Sequence, residues 1–227
     1  CRRIGKLPIV VNDGYGFFTS RVFSAYILEG AQLVAEGHDP VLIDRAARLA
    51  GMVVGPLQVF DEVTLSLGKH ALEQAEQYLG PIDLPGVLLV RRLVDEFDRP
   101  GKAAGRGFYD YGPDGRRVWP GLSELVNEIP EETGVTLLAR RLMLVQCAEV
   151  GRALDDGILR QRRDAEVGAV FGIGFAPGSG GPLALLDRIG LPVAVAAMDS
   201  LAQRFGKRYA PAAGLRAMAE RGERFWD

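Results

Sequence analysis

Ser20 is the side chain whose type and position raise the clearest chemical question in this sequence. It follows a turn, Asn12–Gly16, and two aromatic residues, Phe17 and Phe18, and it falls in the first turn of a predicted helix. A hydroxyl in a first helical turn can bond to nearby backbone groups, which is a purely local role. It can equally present a donor and an acceptor to a ligand. The sequence leaves both interpretations of Ser20 open.

Histidine and cysteine are too sparse to build a metal centre or a nucleophilic site. His38 stands beside a helix end and His70 lies on a polar helix, and we expect both side chains to be exposed. Neither has a serine or cysteine neighbour in a recognisable nucleophile context. Cys1 and Cys147 cannot form a disulfide framework or a zinc site, and Cys147 is expected to be a small buried apolar residue. We therefore predict that the chain binds no metal.

Glycine is concentrated in the stretch FGIGFAPGSGGP, residues 171–182, which invites a nucleotide-binding interpretation. No predicted strand precedes this stretch, and no Gly-Lys-Ser or Gly-Lys-Thr follows it. Its position before a Gly-Pro helix start accounts for its glycines without a ligand. We predict no cofactor site in this chain.

Charge and hydropathy exclude further classes of function. The formal net charge of −2 argues against a general nucleic-acid binder and against binding to anionic membranes. Arg140-Arg141 and the cluster Arg160, Arg162 and Arg163 are predicted to be helix-end and solvated charges. A nucleotide phosphate contact at the second cluster is the alternative. No apolar run reaches 18 residues and the first residues lack a signal-peptide core, so we expect a cytoplasmic protein.

The helix that must position Ser20 has the strongest pattern in the chain. Between Phe17 and Gly37 apolar residues repeat with a period near 3.6 and form a broad arc. Arg21, Glu29, Gln32 and Glu36 are grouped on the opposite side, as in an amphipathic helix. Gly37 stands where a left-handed residue would end the helix.

The remaining elements are also predicted to be helices, so the fold class is mostly α. Asp39-Pro40 and Gly55-Pro56 each place a proline at the first position of a helix. The connector, residues 102–119, differs, because its glycines, aromatic residues and Gly-Pro-Asp-Gly turn predict a small hairpin. A long helix is expected after Thr133-Gly134, followed by shorter helices to the end of the chain.

The two halves of the sequence repeat each other. At an offset of 120 residues, Gly14, Arg21, Glu29, Gly37 and Asp44 match Gly134, Arg141, Glu149, Gly157 and Asp164. At an offset of 126, Gly55-Pro56-Leu57, Asp61 and Leu65 match Gly181-Pro182-Leu183, Asp187 and Leu191. We predict two tandem helical domains, residues 1–115 with the connector and a degenerate copy at 116–227. Arg140 occupies the position in the second copy that Ser20 holds in the first.

These motifs resemble a known family. Residues 8–37 followed by GPLQVFDEVTL are similar to the C-terminal helical domain of 3-hydroxyacyl-CoA dehydrogenases, and Gly105–Tyr111 is similar to that family's Gly-x-Gly-Phe-Tyr-x-Tyr connector. The second copy, with GFAPGSGGPLALLD, resembles the extra domain of the multifunctional fatty-acid β-oxidation proteins. The resemblance extends over almost the whole chain.

The resemblance implies a part of an NAD-dependent oxidoreductase that converts L-3-hydroxyacyl-CoA to 3-oxoacyl-CoA. In that family a separate N-terminal domain binds NAD and supplies the catalytic His–Glu pair, so this chain alone is expected to be inactive and to bind no NAD. Ser20 aligns with the Asn of the family's Gly-Phe-x-x-Asn-Arg motif, which makes it the candidate catalytic and substrate-binding residue. Gly55 and Pro56 match a turn near the acyl chain, although Val54 replaces the usual Met.

The resemblance also implies partners. These are an acyl-CoA substrate, the protein's own NAD-binding domain, and either a homodimer or an internal pseudo-dimer made by the two copies. The chain does not begin with methionine, and we expect it to be part of a longer protein. The alternative is a non-catalytic helical assembly module of another β-hydroxyacid dehydrogenase-like protein, in which Ser20 never meets a substrate.

Overall fold

The computed structural model describes residues 2–5, 7–126, 130 and 132–226, so Cys1 lies outside the described residues. Over this part the chain forms ten α-helices and one two-stranded hairpin, which confirms the mostly α fold class. The helices are α1 (Thr19–Ala35), α2 (Pro40–Leu49), α3 (Pro56–Val63), α4 (Leu65–Leu79), α5 (Pro85–Asp95), α6 (Val135–Asp155), α7 (Arg162–Val167), α8 (Pro182–Ile189), α9 (Leu191–Phe205) and α10 (Ala213–Glu220), and the strands are β1 (Tyr109–Gly112) and β2 (Gly115–Val118).

The helices are divided between two compact units. Unit 1 contains residues 1–26, 50–53 and 141–227, and unit 2 contains residues 27–49 and 54–140. Helix α1 begins in unit 1 and ends in unit 2, whereas α6 begins in unit 2 and ends in unit 1. Each unit therefore combines segments from both halves of the sequence, and the predicted repeat boundary at 115/116 remains a prediction.

Helix α1 begins at Thr19, two residues later than the pattern predicts. Phe17 has a positive φ of 48°, a conformation that cannot continue a right-handed helix. At the other end, Gly37 has a φ of 95° and the N–H of His38 donates to the carbonyl of Leu33 at 3.0 Å. This confirms Gly37 as the residue that ends the helix.

The polar side of α1 is not a solvent face in unit 2, which corrects the amphipathic prediction. Glu29 and Gln32 are both buried. Gln32 Oε1 accepts the backbone N–H of Gly86 at 2.8 Å, and Gln32 Nε2 donates to Glu36 at 2.9 Å. Glycine is needed at residue 86, since a Cβ there would lie 2.5 Å from the backbone nitrogen of Gln32. The buried polar residues of α1 therefore stabilise the packing of α1 against α5.

The prediction that both histidines are exposed is wrong for His38. Its side chain is buried, with Nε2 3.9 Å from a carboxylate oxygen of Glu36, because the turn at Gly37 folds the chain back after α1. His70 is exposed, as predicted. Cys147 is fully buried and unbridged, which confirms its role as a small core residue.

Arg141 is also buried, against the prediction of a solvated charge. Its Nε donates to the hydroxyl of Tyr209 at 2.8 Å, and its guanidinium carbon lies 4.1 Å from the centre of the Phe205 ring. Hydrogen bonding and cation–π contact offset the cost of burying this charge. Arg140 is exposed, as predicted.

In unit 2 the connector is an ordered hairpin, as predicted, and it is bound to α3 by one carboxylate. Strands β1 and β2 pair in antiparallel register from Tyr109↔Val118 to Gly112↔Gly115. Asp61 accepts the backbone N–H groups of Phe108 at 2.8 Å and Tyr109 at 3.1 Å, and the hydroxyl of Tyr111 at 2.9 Å. Burial raises the pKa of Asp61 to about 6 despite these bonds.

A second carboxylate of unit 2 binds the same hairpin to the start of α3. Asp44 accepts the backbone N–H of Leu57 at 2.9 Å and the hydroxyl of Tyr109 at 2.9 Å. The Gly55-Pro56 turn fits against this carboxylate, because a Cβ on Gly55 would clash with Asp44. This turn is therefore a packing element.

Unit 1 contains an arrangement similar to that of Asp61. Asp187, the predicted match of Asp61, accepts the backbone N–H groups of Phe225 at 3.0 Å and Trp226 at 2.8 Å. Phe225 is buried like Phe108. Phe225 and Trp226 thus contact Asp187 as Phe108 and Tyr109 contact Asp61, while the duplication itself remains a prediction.

Candidate functional site

In unit 1 the turn before α1 is fixed by contacts to the segment after α6. The backbone N–H of Asn12 donates to Ile158 at 2.8 Å, and the Asn12 amide donates to the carbonyl of Gly157 at 2.7 Å. Arg160 Nε donates to Asn12 Oδ1 at 2.9 Å while remaining exposed, which agrees with the prediction of a surface charge. A Cβ at Gly14 would clash with Ile158. The approach to α1 therefore has a defined conformation.

Arg21 holds the first turn of α1 in place. Its Nε lies 2.6 Å from Glu149, and its NH1 lies 2.8 Å from Asp156. Burial alone would lower the pKa of Arg21, but these two carboxylates outweigh it and raise the pKa. Glu149 is in turn 2.8 Å from Arg152. This charge network orients the residue next to Ser20 without involving Ser20 itself.

Ser20 is exposed in this first turn. Its hydroxyl makes no hydrogen bond within the part of the chain that the structure describes, so the local backbone bond that the sequence left open is not formed there. The hydroxyl can therefore donate one hydrogen bond and accept others from a bound molecule.

Phe17 is an exposed aromatic residue in a strained conformation. Its side chain is 54% exposed, and its φ of 48° belongs to a region that non-glycine residues rarely adopt. Its backbone N–H donates to the carbonyl of Gly14 at 3.0 Å. Strain of this kind costs on the order of 1 kcal/mol and is concentrated at functional sites.

A second exposed phenylalanine is presented by the segment that follows α7. Residues Gly168–Gly172 form a π-helical turn, a distortion that is frequent at functional sites. Phe171 on this turn is 71% exposed. The flanking glycines face α1, since a Cβ at Gly168 would lie 3.0 Å from Phe18 and one at Gly172 would lie 3.2 Å from Thr19.

Residues 50–53 complete the same surface of unit 1. Val53 is 60% exposed, and its backbone N–H donates to the carbonyl of Gly174 at 3.3 Å. Next to it, a Cβ at Gly51 would lie 3.1 Å from Ala176. We call Phe17, Ser20, Val53 and Phe171 the Ser20 surface, since they are exposed residues of three segments that contact one another.

The structure places Gly55 and Pro56 in unit 2, where both are buried. Pro56 packs against α1, because a Cβ at Gly30 would lie 2.6 Å from its Cβ. Their role in binding substrate remains a prediction. The sequence analysis missed Phe171 and Val53, since a large apolar residue gives no sign in the sequence of whether it is exposed.

The arrangement is suited to binding and orienting a molecule. Serine offers hydrogen bonds, and the aromatic and aliphatic side chains offer apolar contact area. Within the described ranges no cluster of three or more histidine, cysteine, aspartate or glutamate side chains is arranged to hold a metal ion. None of the helices described has the length and apolar character needed to span a bilayer.

Comparison with known protein families gives a match over part of the chain. The family model described as "3-hydroxyacyl-CoA dehydrogenase, C-terminal domain" matches residues 16–111. These residues are therefore similar to the C-terminal domain of that family. The matched range of the dehydrogenase domain includes Ser20, Gly55, Pro56 and the connector as far as Tyr111, but it does not include Phe171.

Two solved structures resemble the chain over 96% of its length. 3-Hydroxybutyryl-CoA dehydrogenase from Escherichia coli K12 has a TM-score of 0.77 at 20% identity, and the chain covers 62% of it. The dehydrogenase part of multifunctional enzyme 1 from C. elegans has a TM-score of 0.66 at 15% identity, and the chain covers 51% of it. These likenesses establish the dehydrogenase-type fold, and the chain spans less than two thirds of either relative.

Proposed function

We propose that this chain is the substrate-side part of an NAD-dependent L-3-hydroxyacyl-CoA dehydrogenase of fatty-acid β-oxidation. In the reaction, hydride leaves C3 of the 3-hydroxyacyl-CoA for NAD⁺, and the hydroxyl proton passes to a base, which yields 3-oxoacyl-CoA. In this proposal the NAD site and the base belong to a separate NAD-binding domain of the same protein.

The observation that carries this proposal is the free hydroxyl of Ser20. By resemblance to the family motif Ser20 holds the site position, and the exposed Phe17, Val53 and Phe171 lie on its own segment and on the segments packed next to it. Ser20 would donate a hydrogen bond to the substrate oxygen at C3, directly or through a water, and so orient C3 for hydride transfer. The apolar side chains would receive the acyl part of the substrate and exclude water from it.

The second copy has a supporting role in this proposal. In place of Ser20 it carries Arg140, so it has no equivalent hydroxyl. Each unit nevertheless contains segments from both copies. The second copy would therefore supply, within one chain, the packing that a partner subunit supplies in single-copy enzymes, which makes an internal pseudo-dimer.

The test is a pair of substitutions in the full-length protein. Ser20→Ala should lower kcat about tenfold for acetoacetyl-CoA reduction by NADH, because one hydrogen bond in the transition state is lost. Ser24→Ala, one helical turn further along α1, is the matched control and should leave kcat unchanged. Ser20→Asn, which restores the family residue, should retain activity.

Unchanged kinetics in Ser20→Ala would contradict the proposal. That result would favour the alternative, in which the chain is an assembly module and Ser20 meets no substrate.

A further inference from the structure

Glu166, which lies in α7 of unit 1, joins three parts of the chain through one carboxylate. Oε2 accepts the backbone N–H of Leu183 at 3.2 Å, and Oε1 accepts that of Ala184 at 2.8 Å, both in the first turn of α8. Oε1 also accepts the indole N–H of Trp226 at 3.1 Å. The carboxylate thereby binds the C-terminal segment to the start of α8.

The same arrangement occurs within unit 2. There Asp44 accepts a backbone N–H from the first turn of α3 and the hydroxyl of Tyr109. Trp226 therefore corresponds to Tyr109, in agreement with the equivalence of Phe225 and Phe108. Asp164 is the residue that the offset of 120 matches to Asp44, but Glu166 makes the bonds. The residue that supplies the bonded carboxylate in unit 1 therefore lies two positions later than the match to Asp44, and so closer to the π-helical turn at Gly168–Gly172.

The helix that carries Glu166 leads directly into the segment that reaches the Ser20 surface. The π-helical turn begins two residues after Glu166, and its Gly168 and Gly172 pack against Phe18 and Thr19. These two residues lie directly between Phe17 and Ser20 in the sequence. A displacement of α7 would therefore be passed to the segment that presents Phe171, and from it to the first turn of α1.

We propose that Glu166 and Trp226 are positioning residues for the Ser20 surface. Their hydrogen bond fixes the end of α7, and with it residues 168–174, against the first turn of α1. The inference rests on the proposed function for its catalytic consequence, but its structural consequence can be measured without any assay of activity.

The experiment compares the two tryptophans of the chain in the full-length protein. Trp226→Phe removes the indole donor and retains an aromatic ring. Trp119→Phe is the matched control, because Trp119 belongs to unit 2, where its ring stacks 4.4 Å from the guanidinium of Arg99. Glu166→Gln is a second variant, since its amide nitrogen would face the N–H of Leu183 or Ala184.

Amide hydrogen exchange is the deciding measurement. Trp226→Phe and Glu166→Gln should each accelerate exchange about tenfold at residues 168–174 and at Val22, whose N–H donates to the carbonyl of Phe18, because the contact between these two segments opens more often. Trp119→Phe should leave these amides unchanged. Acceleration that stops at residues 182–184 and 226 would overturn the proposal, because the bond would then serve only the local packing of α8.

Kinetics separate this inference from the proposed function. At a temperature where all variants are folded, Trp226→Phe should lower kcat about fivefold, with KM for acetoacetyl-CoA changed less than twofold. An unchanged kcat in Trp226→Phe, alongside a lowered kcat in Ser20→Ala, would overturn the positioning role and leave the proposed function intact. An unchanged kcat in Ser20→Ala would remove the proposed function, while the exchange data would still decide whether the bond holds residues 168–174.

Discussion

At the scale of single residues, burial changes the ionisation of two carboxylates of unit 2. Asp61 is buried under the hairpin with three donors and has its pKa raised to about 6. Burial raises the pKa of Asp44 as well, despite its bonds to Tyr109 and Leu57. The connector is therefore attached through groups whose ionised form is costly.

The raised pKa of Asp61 predicts that its contribution to stability depends on pH. Protonated Asp61 is favoured in the folded state, so its stabilising contribution is fully present below the ordinary aspartate pKa of 3.8 and is lost as the pH rises through about 6. The difference in unfolding free energy between wild type and Asp61→Asn should therefore fall by about 2 kcal/mol across this window.

Urea denaturation at several pH values measures that difference. The matched control is Asp114→Asn, because Asp114 is exposed in the turn of the same hairpin. Because this side chain is exposed, the variant should stay within about 0.5 kcal/mol of wild type in unfolding free energy. A difference for Asp61→Asn that stays constant from pH 4 to about pH 7 would contradict the expected linkage.

Residue identity alone could predict the position of Ser20 but not its surroundings. The sequence motif places Ser20 at the start of α1, and the structure confirms that place. Its exposure, and that of Phe171, depends on which segments pack nearby. His38 and Arg141 illustrate the same limit, since their burial is decided by contacts that local sequence does not determine.

At the scale of helices and strands, the sequence predicted an element correctly where the deciding contacts join residues that are close in sequence. Pro56 and Pro182 begin α3 and α8, and the Asp39 side chain caps α2 by accepting the N–H of Leu42 at 2.8 Å. The Gly-Pro-Asp-Gly turn forms the hairpin. The polar side of α1 was misread because periodicity cannot distinguish water from a buried polar partner such as Gly86.

The close approach of α1 and α5 gives a prediction at this scale. Gly86→Ala should lower the unfolding free energy by about 3 kcal/mol, because its Cβ would meet the backbone of Gln32, which cannot move aside. Thermal or urea unfolding would measure the change.

Gly134→Ala is the control for this substitution. Gly134 lies in the same unit, and a Cβ there would meet nothing within 4 Å. The change should leave stability within about 0.5 kcal/mol of wild type. Equal effects of the two alanine substitutions would show that close helix packing is not the reason for glycine at residue 86.

At the scale of the whole molecule, the division of labour between domains makes a prediction about activity. The purified 227-residue chain should not oxidise NADH in the presence of acetoacetyl-CoA, because we assign the cofactor site and the base to another domain. The full-length protein, assayed in parallel, should be active. Absorbance at the NADH band measures both, and turnover by the chain alone would contradict this assignment.

Because α1 and α6 each contain residues of both units, the two units become complete at different times during synthesis. Unit 2 uses residues no later than 140, whereas the turn at Asn12 in unit 1 needs partners at residues 157–160. At roughly 5–20 residues per second, a ribosome takes about 7–30 s to advance from Asn12 to these partners. During synthesis unit 2 can fold first, while the start of the chain, with the Ser20 turn, waits as an unfolded segment. The candidate site is therefore among the last features of the nascent protein to form.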